Sequence, residues 1–180
     1  MLTRYALSMP KMVYAGENPY EHLSGILRGV HKAVVFTYET VSGAGLLTPY
    51  LDALREAGVE YTLVEELPPE PTYIQAEEVI ARFRAEKADF IIAAGGGSVM
   101  DIAKLASVLD TDRYTIKDLL KKPEIARKTT RTLMIPTTAG TGAEATPNAI
   151  VTVPEKALKV GIVNEDMKAD YVMLDAEMIR

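Results

Sequence analysis

Three consecutive glycines followed by a serine form the part of this 180-residue sequence best suited to hold a phosphate. They lie within residues 93–101, Ala-Ala-Gly-Gly-Gly-Ser-Val-Met-Asp, where an apolar strand pattern passes directly into a helical one. Glycine lets the backbone turn tightly and approach a ligand without a Cβ. The free N–H groups and the positive dipole end of the first helical turn then favour an anion. We expect Gly95, Gly96 and Gly97 to offer backbone amides and Ser98 its hydroxyl.

The spacing of this glycine-rich turn is neither the dinucleotide pattern G-x-G-x-x-G nor the P-loop pattern G-x-x-x-x-G-K-[ST]. A glycine-rich turn without a ligand is therefore the alternative interpretation. Asp101 also has two interpretations. Its carboxylate faces the ligand, or it completes a Ser-x-x-Asp capping box with Ser98 at the start of the helix. Lys104 lies one turn further along.

A second cluster of small polar residues follows another apolar strand pattern, between positions 135 and 146. It includes Thr137, Thr138 and Thr141. In a parallel sheet the loop after each strand lies at the carboxyl edge, so this threonine loop should meet the glycine-rich turn. Hydroxyls and amides on two such loops suit a ribose, a pyrophosphate or a nicotinamide carboxamide. Alone the segment is compatible with an ordinary polar turn, but the pair predicts a dinucleotide site.

Short apolar runs and amphipathic stretches alternate along the chain in the way that a parallel sheet requires. Strands separated by helices are typical of right-handed βαβ units. The predicted elements are strands at 33–37, 61–64, 90–94, 132–135, 149–153, 160–163 and 171–174, and helices at 46–54, 72–83 and 98–109. The sequence predicts one α/β domain over residues 1–180 with its core at 33–175. It is expected to be a Rossmann-like parallel sheet flanked by helices, with extra strands near the C-terminal end.

Local signals predict where some of these helices begin and end. Thr72 and Gln75 have the spacing of a capping box, and Gly58 is placed to end the preceding helix. A further helix start is predicted at 175–179, where an aspartate precedes an acidic first turn.

Composition limits the function. A net charge of −5 argues against nucleic acid and membrane surfaces as partners, since both select basic faces. No apolar run approaches the 18 residues of a membrane span, and cysteine is absent from the sequence. We expect a cytoplasmic protein. The two histidines, His22 and His31, do not by themselves supply a catalytic metal site, so none is predicted in this chain.

The two motifs together resemble the iron-containing (group III, metal-dependent) alcohol dehydrogenases. The resemblance rests on Gly95-Gly96-Gly97-Ser98-x-x-Asp101 and on Pro136-Thr137-Thr138-Ala139-Gly140-Thr141-Gly142-x-Glu144. It extends from about residue 33 to the end, including the segments 159–161 and 169–175. It implies an NAD(P)-dependent oxidoreductase that interconverts alcohols and aldehydes by hydride transfer, and that this chain is its nucleotide-binding N-terminal domain.

The resemblance also implies roles for single residues. Gly96, Gly97 and Ser98 would bind the dinucleotide pyrophosphate. The three threonines 137, 138 and 141 would line the groove around the adenosine and phosphates. Lys159 matches a lysine near the nicotinamide end and the phosphates, with an ordinary solvated lysine as the alternative, and it is the one possible catalytic residue.

Two departures from the family pattern qualify these expectations. NAD-preferring members carry an aspartate for the adenosine ribose at the place where Tyr38 stands, with Glu39 next to it. A carboxylate there repels a 2′-phosphate, so the choice between NAD and NADP stays open. Family members also have a helical second domain with an aspartate and three histidines that hold the metal. That domain would follow residue 180, and iron or zinc is expected only with it.

Other interpretations remain. Relatives of glycerol dehydrogenase or 3-dehydroquinate synthase share a glycine-rich turn, although the threonine loop favours the alcohol dehydrogenases. A free-standing, non-catalytic nucleotide-binding module is the alternative from another class. The resemblance implies a small alcohol or aldehyde as the substrate and a homodimer in the full-length protein.

Overall fold

A computed structural model describes residues 7–179 as alternating strands and helices. The strands are β1 (Met12–Ala15), β2 (Lys32–Phe36), β3 (Glu60–Val64), β4 (Phe90–Gly95), β5 (Arg131–Pro136), β6 (Asn148–Val153), β7 (Leu158–Val163) and β8 (Tyr171–Leu174). The α-helices are α1 (Leu23–Ile26), α2 (Glu39–Gly43), α3 (Thr48–Glu56), α4 (Tyr73–Glu86), α5 (Gly97–Leu109) and α6 (Ile116–Lys121). Short 3-10 helices lie at Pro19–His22, Pro123–Ile125, Pro154–Lys156, Glu165–Met167 and Ala176–Ile179.

Six strands form one sheet in the order β1-β8-β5-β4-β2-β3, and every neighbouring pair is parallel. Strands β6 and β7 form a separate antiparallel hairpin. The predicted α/β fold with a parallel sheet and additional strands near the C-terminal end is confirmed. Strand β4 is buried along its whole length because helices cover both faces of the sheet.

The order of the strands places a crevice between the carboxyl ends of β2 and β4. The chain runs outward from β2 to the edge strand β3 and returns past β2 to β4. Helices α1 and α3 pack on one face of the sheet, whereas α4 and α5 pack on the other. In open α/β sheets, ligands bind where the strand order reverses in this way.

Two predicted helix boundaries are confirmed. Thr72 and Gln75 form a reciprocal capping box at the start of α4. Gly58 follows the end of α3 with φ +69°, a left-handed conformation that glycine adopts without strain.

The sheet starts upstream of the predicted core. Strand β1 pairs with β8 at the edge, and its four residues are exposed except for the half-buried Tyr14. Its sequence, Met-Val-Tyr-Ala, is a short apolar run without the alternation of a half-buried strand, so the sequence pattern did not reveal it. The predicted helix start near residue 175 is a single 3-10 turn, Ala176–Ile179. No helix within residues 7–179 is long and apolar enough to cross a membrane.

Candidate functional site

The glycine-rich turn and the threonine loop lie against each other at the carboxyl edge of the sheet. The N–H of Thr137 donates to the carbonyl of Gly95 over 3.0 Å. A Cβ placed on Gly96 would lie 3.4 Å from Oγ1 of Thr138. One placed on Gly97 would lie 3.5 Å from Cγ2 of the loop's third threonine, Thr141. The contact that the sequence predicted between the two motifs is therefore present.

A groove of about 300 Å³ opens beside this contact. Five of the predicted site residues line it: Gly97, Ser98, Asp101, Thr141 and Lys159. The remaining lining residues are Glu70, Pro71, Ala143, Thr146, Asn148, Ile150 and Thr152. The predicted residues Tyr38, Gly95, Gly96, Thr137 and Thr138 are outside this lining. The hairpin β6–β7 supplies one wall, which the sequence analysis did not anticipate.

Gly95 is required for packing. A Cβ at this position would lie 2.6 Å from Cγ2 of Val99, a contact that real structures do not tolerate. Val99 is fully buried and its branched side chain is stiff, so it cannot move aside. Gly95 therefore lets the first turn of α5 approach the end of β4 closely.

Tyr38 lies at the crevice between β2 and β4. It follows the end of β2 and forms a side-chain hydrogen bond with Ser98. Burial raises the pKa of the Tyr38 hydroxyl, which this hydrogen bond only partly offsets. Ser98 also accepts the backbone N–H of Glu70 over 3.2 Å. The hydroxyl of Ser98 is thus shared between two neighbouring loops.

The predicted capping box between Ser98 and Asp101 is wrong. Helix α5 begins at Gly97 with Gly96 as its N-cap, and no side chain caps it. Ser98 is therefore already inside the helix. Asp101 instead pairs with Lys104, with 3.4 Å between Oδ1 and Nζ.

Asp101 and Lys104 connect helix α5 to the neighbouring hairpin. The carboxylate of Asp101 accepts the backbone N–H of Ile150. The ammonium of Lys104 donates to the carbonyl of Asn148 over 2.8 Å and to Oγ1 of Thr146 over 3.3 Å. Lys104 is completely buried. Burial raises the pKa of Asp101 and lowers that of Lys104, while each partner's charge opposes the shift of the other.

Sequence reasoning noted Lys104 without giving it a role. The signal was present, because a lysine within the apolar stretch Val99–Leu109 must find buried partners. Thr146 and Asn148 could not have been identified from sequence, since their contact with α5 depends on the path of the hairpin.

Lys159 reaches the mouth of the groove from β7. Its Nζ lies 2.6 Å from Oε1 of Glu70, and both side chains are more than half exposed. Glu70 belongs to the loop between β3 and α4, which contains Pro68, Pro69 and Pro71. Both residues of this ion pair line the groove together with Ser98.

The histidines lie away from the groove. The ring of His22 stacks on Tyr14 with 4.3 Å between centroids, and His31 is exposed at the opposite edge of the sheet. Within residues 7–179 there is no group of three or more His, Cys, Asp or Glu side chains that could hold a metal ion. The described part of this chain therefore lacks the ligands of a catalytic metal. The glycine-rich turn and the groove, in contrast, fit a dinucleotide.

A sequence model of the family named iron-containing alcohol dehydrogenase matches residues 10–176. This match spans nearly the whole chain. The chain belongs to the iron-containing alcohol dehydrogenase family. Among curated relatives, sulfoacetaldehyde reductase of Bilophila wadsworthia is 35% identical over 152 residues, which are 82% of this chain and 38% of that protein. Lactaldehyde reductase of Escherichia coli is 30% identical over 154 residues, or 84% of this chain and 40% of that protein.

A comparison with solved structures shows that the similarity extends over nearly all of this chain. Sulfoacetaldehyde reductase from Bifidobacterium kashiwanohense, in complex with NAD+, superposes with a TM-score of 0.86 at 25% identity. The match covers 99% of this chain and 47% of that one. The chain thus spans less than half the length of the relatives that it matches.

Proposed function

We propose that this chain is the dinucleotide-binding domain of an NAD(P)-dependent alcohol dehydrogenase that interconverts an alcohol and an aldehyde. The observation that carries the proposal is the contact between the glycine-rich turn and the threonine loop beside a groove with Lys159 at its mouth. Membership of an oxidoreductase family supports it.

The first turn of α5 supplies the phosphate-binding elements. The backbone N–H groups of Gly97 and Ser98 have no helical acceptors and lie at the positive end of a 13-residue helix. They would hold the pyrophosphate together with the Ser98 hydroxyl. Gly96 has no side chain at the point where the threonine loop approaches. Its backbone is therefore accessible to a ligand.

The remaining residues would orient the two ends of the cofactor. Thr137, Thr138 and Thr141 would line the path of the adenosine and phosphates, and Tyr38 would lie near the adenosine ribose at the β2–β4 crevice. Lys159 would contact the phosphates or the nicotinamide end. When bound, the nicotinamide would supply the hydride chemistry at its C4, while these residues would hold and orient it.

We assign Asp101 a positioning role in place of a direct ligand contact. Its carboxylate is occupied by Lys104 and by the N–H of Ile150, so it holds the hairpin against α5. The hairpin in turn carries Lys159 to the groove.

The properties of a complete enzyme are carried over from the family. They are a small alcohol or aldehyde as the substrate, a helical second domain that holds iron or zinc, a homodimeric assembly and a cytoplasmic location. The relatives reduce sulfoacetaldehyde and lactaldehyde according to their names. Because the described residues hold no metal-binding cluster, no chemical step of the metal is assigned to them. By itself the 180-residue chain is expected to bind cofactor without turning over alcohol.

A titration of the 180-residue chain with NADH and NADPH tests the proposal, with nicotinamide fluorescence as the readout. Gly97→Asp is the disabling variant. A Cβ at residue 97 meets only ordinary contacts, so the variant should fold, but its carboxylate would repel the pyrophosphate. Saturable binding that the variant loses supports the proposal. Absence of binding to the wild-type chain, or equal binding by the variant, contradicts it.

A further inference from the structure

Glu70 is held in an unfavourable backbone conformation at the entrance of the groove. Its φ is +48°, in the left-handed region that side chains other than glycine rarely adopt. It also lies between Pro69 and Pro71, and a residue that precedes proline prefers an extended backbone. Such strain persists only where surrounding contacts impose it.

Two contacts impose the conformation of Glu70. Its N–H donates to Oγ of Ser98 over 3.2 Å, and its carbonyl accepts the hydroxyl of Thr152 over 3.4 Å. The N–H of Thr152 in turn donates to the carbonyl of Pro71 over 2.9 Å. The loop is thus attached to the phosphate-binding turn on one side and to strand β6 on the other.

This attachment aims the carboxylate of Glu70 at the groove's exposed cation. Its Oε1 lies 2.6 Å from Nζ of Lys159, and both residues line the groove. The nearby Lys104 of helix α5 does not line the groove, and it is buried and already paired with Asp101. Glu70 therefore places an anion on Lys159 while its own backbone N–H is bonded to the hydroxyl of Ser98, in the first turn of α5.

We propose that Glu70 takes the place of the cofactor phosphate: its carboxylate pairs with Lys159 and must release that lysine when a dinucleotide binds. The inference rests on the proposed cofactor function. Binding exchanges one carboxylate–ammonium pair for a phosphate–ammonium pair. Lys159 therefore contributes to the free energy of binding only the difference between these two pairs. Glu70 thereby weakens dinucleotide binding and keeps a negative charge at the entrance of the groove.

The decisive variant is Glu70→Gln, which keeps the size of the side chain and removes its charge. We expect NADH affinity to rise about threefold, the scale of a partly exposed ion pair. The affinity should also fall more steeply with added salt, because binding then creates a new ion pair without breaking one. Glu66→Gln is the matched control. It makes the same charge change in the same loop, but its side chain is paired with Arg82 away from the groove.

A double-mutant cycle with Lys159→Gln shows whether the effect passes through the ion pair. In the Lys159→Gln background, Glu70→Gln should change NADH affinity by less than it does in the wild-type background. An equal change in both backgrounds, or a similar gain in Glu66→Gln, would reduce the effect to net charge and overturn the proposal. Weaker binding by Glu70→Gln would also overturn it, since the carboxylate would then hold the cofactor. Failure of the wild-type chain to bind NADH refutes the proposed function, whereas wild-type binding without a gain in Glu70→Gln refutes only this inference.

Discussion

Lys104 and Asp101 form a buried ion pair on helix α5, and the partners of that pair lie on the hairpin opposite. The ammonium of Lys104 contacts the carbonyl of Asn148, while the carboxylate of Asp101 accepts the N–H of Ile150. This one pair therefore links the helix that begins at the glycine-rich turn to the hairpin that carries Lys159. A buried pair of this kind contributes little to the free energy of unfolding. Removal of one partner, however, is strongly destabilising, because the other charge is then buried without a counter-charge.

Replacement of Lys104 by Met should lower the free energy of unfolding by about 3 kcal/mol, because it leaves the carboxylate of Asp101 buried without its counter-charge. Urea denaturation followed by circular dichroism measures this change. Lys121→Met is the control, since Lys121 is exposed at the end of α6. Equal stabilities of Lys104→Met and the wild-type chain would show that the pair does not hold the hairpin.

A methyl group at position 95 should destabilise the fold, whereas one at Gly25 should not. Gly95→Ala brings its Cβ to 2.6 Å from Val99, so the start of α5 must shift. We expect a loss of about 1–3 kcal/mol in the free energy of unfolding. Gly25→Ala in α1 is the matched change, because its Cβ meets no atom within 4 Å. It should leave stability unchanged or raise it slightly, since alanine favours a helix. Thermal denaturation of both variants measures these changes. An equal loss of stability in both would contradict this account of Gly95.

A feature of the site could be predicted from the sequence when the residues that form it lie close together in the chain. The glycine-rich turn and the capping box at Thr72 are local patterns, in which residue type and spacing determine the geometry. The approach of the threonine loop to the turn also follows, since parallel strands bring their carboxyl ends to one edge.

The remaining features depend on contacts between residues far apart in sequence. The pairing of Glu70 with Lys159 joins positions 89 apart and depends on where the hairpin crosses α5. The capping box predicted for Ser98 failed because the N-cap of helix α5 is Gly96, two residues earlier. Strand β1 was missed because it is a run of only four apolar residues, Met-Val-Tyr-Ala, without the alternation or length that marks a strand.

Asp170 should make the stability of the chain sensitive to acid. Its carboxylate lies 2.7 Å from Nζ of Lys11 and 3.4 Å from Nζ of Lys128, and it accepts the N–H of Thr132 over 3.0 Å. Burial alone would raise the pKa of Asp170, but these partners outweigh it, and the pKa is lowered. A lowered pKa in the folded state means that the stabilisation is complete above the unfolded value near pH 4 and is lost as the pH falls through the folded value.

The variant Asp170→Asn tests this contribution. At pH 7 it should lose about 2 kcal/mol of unfolding free energy, since the largely buried Lys128 loses its counter-charge. Below about pH 4 the difference from the wild-type chain should begin to shrink, because the carboxyl is then protonated in the unfolded chain, and it should vanish only below the lowered pKa of the folded state. Urea denaturation between pH 3 and pH 7 gives both values. Asp112→Asn, which alters a carboxylate that is 92% exposed, is the control. A difference that stays constant across this range would contradict the role of the charge.

The residue at position 38 should set the choice between NAD and NADP if the adenosine ribose lies at the β2–β4 crevice. Tyr38→Asp places a carboxylate there, which accepts ribose hydroxyls and repels a 2′-phosphate. We expect the ratio of NADH to NADPH affinity to rise about tenfold, which corresponds to about 1.4 kcal/mol. Tyr38→Phe is the control: it removes the hydrogen bond to Ser98 but adds no charge, so the ratio should stay near that of the wild-type chain. Fluorescence titrations with both reduced cofactors measure the ratios. If Tyr38→Asp leaves the ratio unchanged, the ribose does not lie at the end of β2, and the cofactor must enter the groove in another orientation.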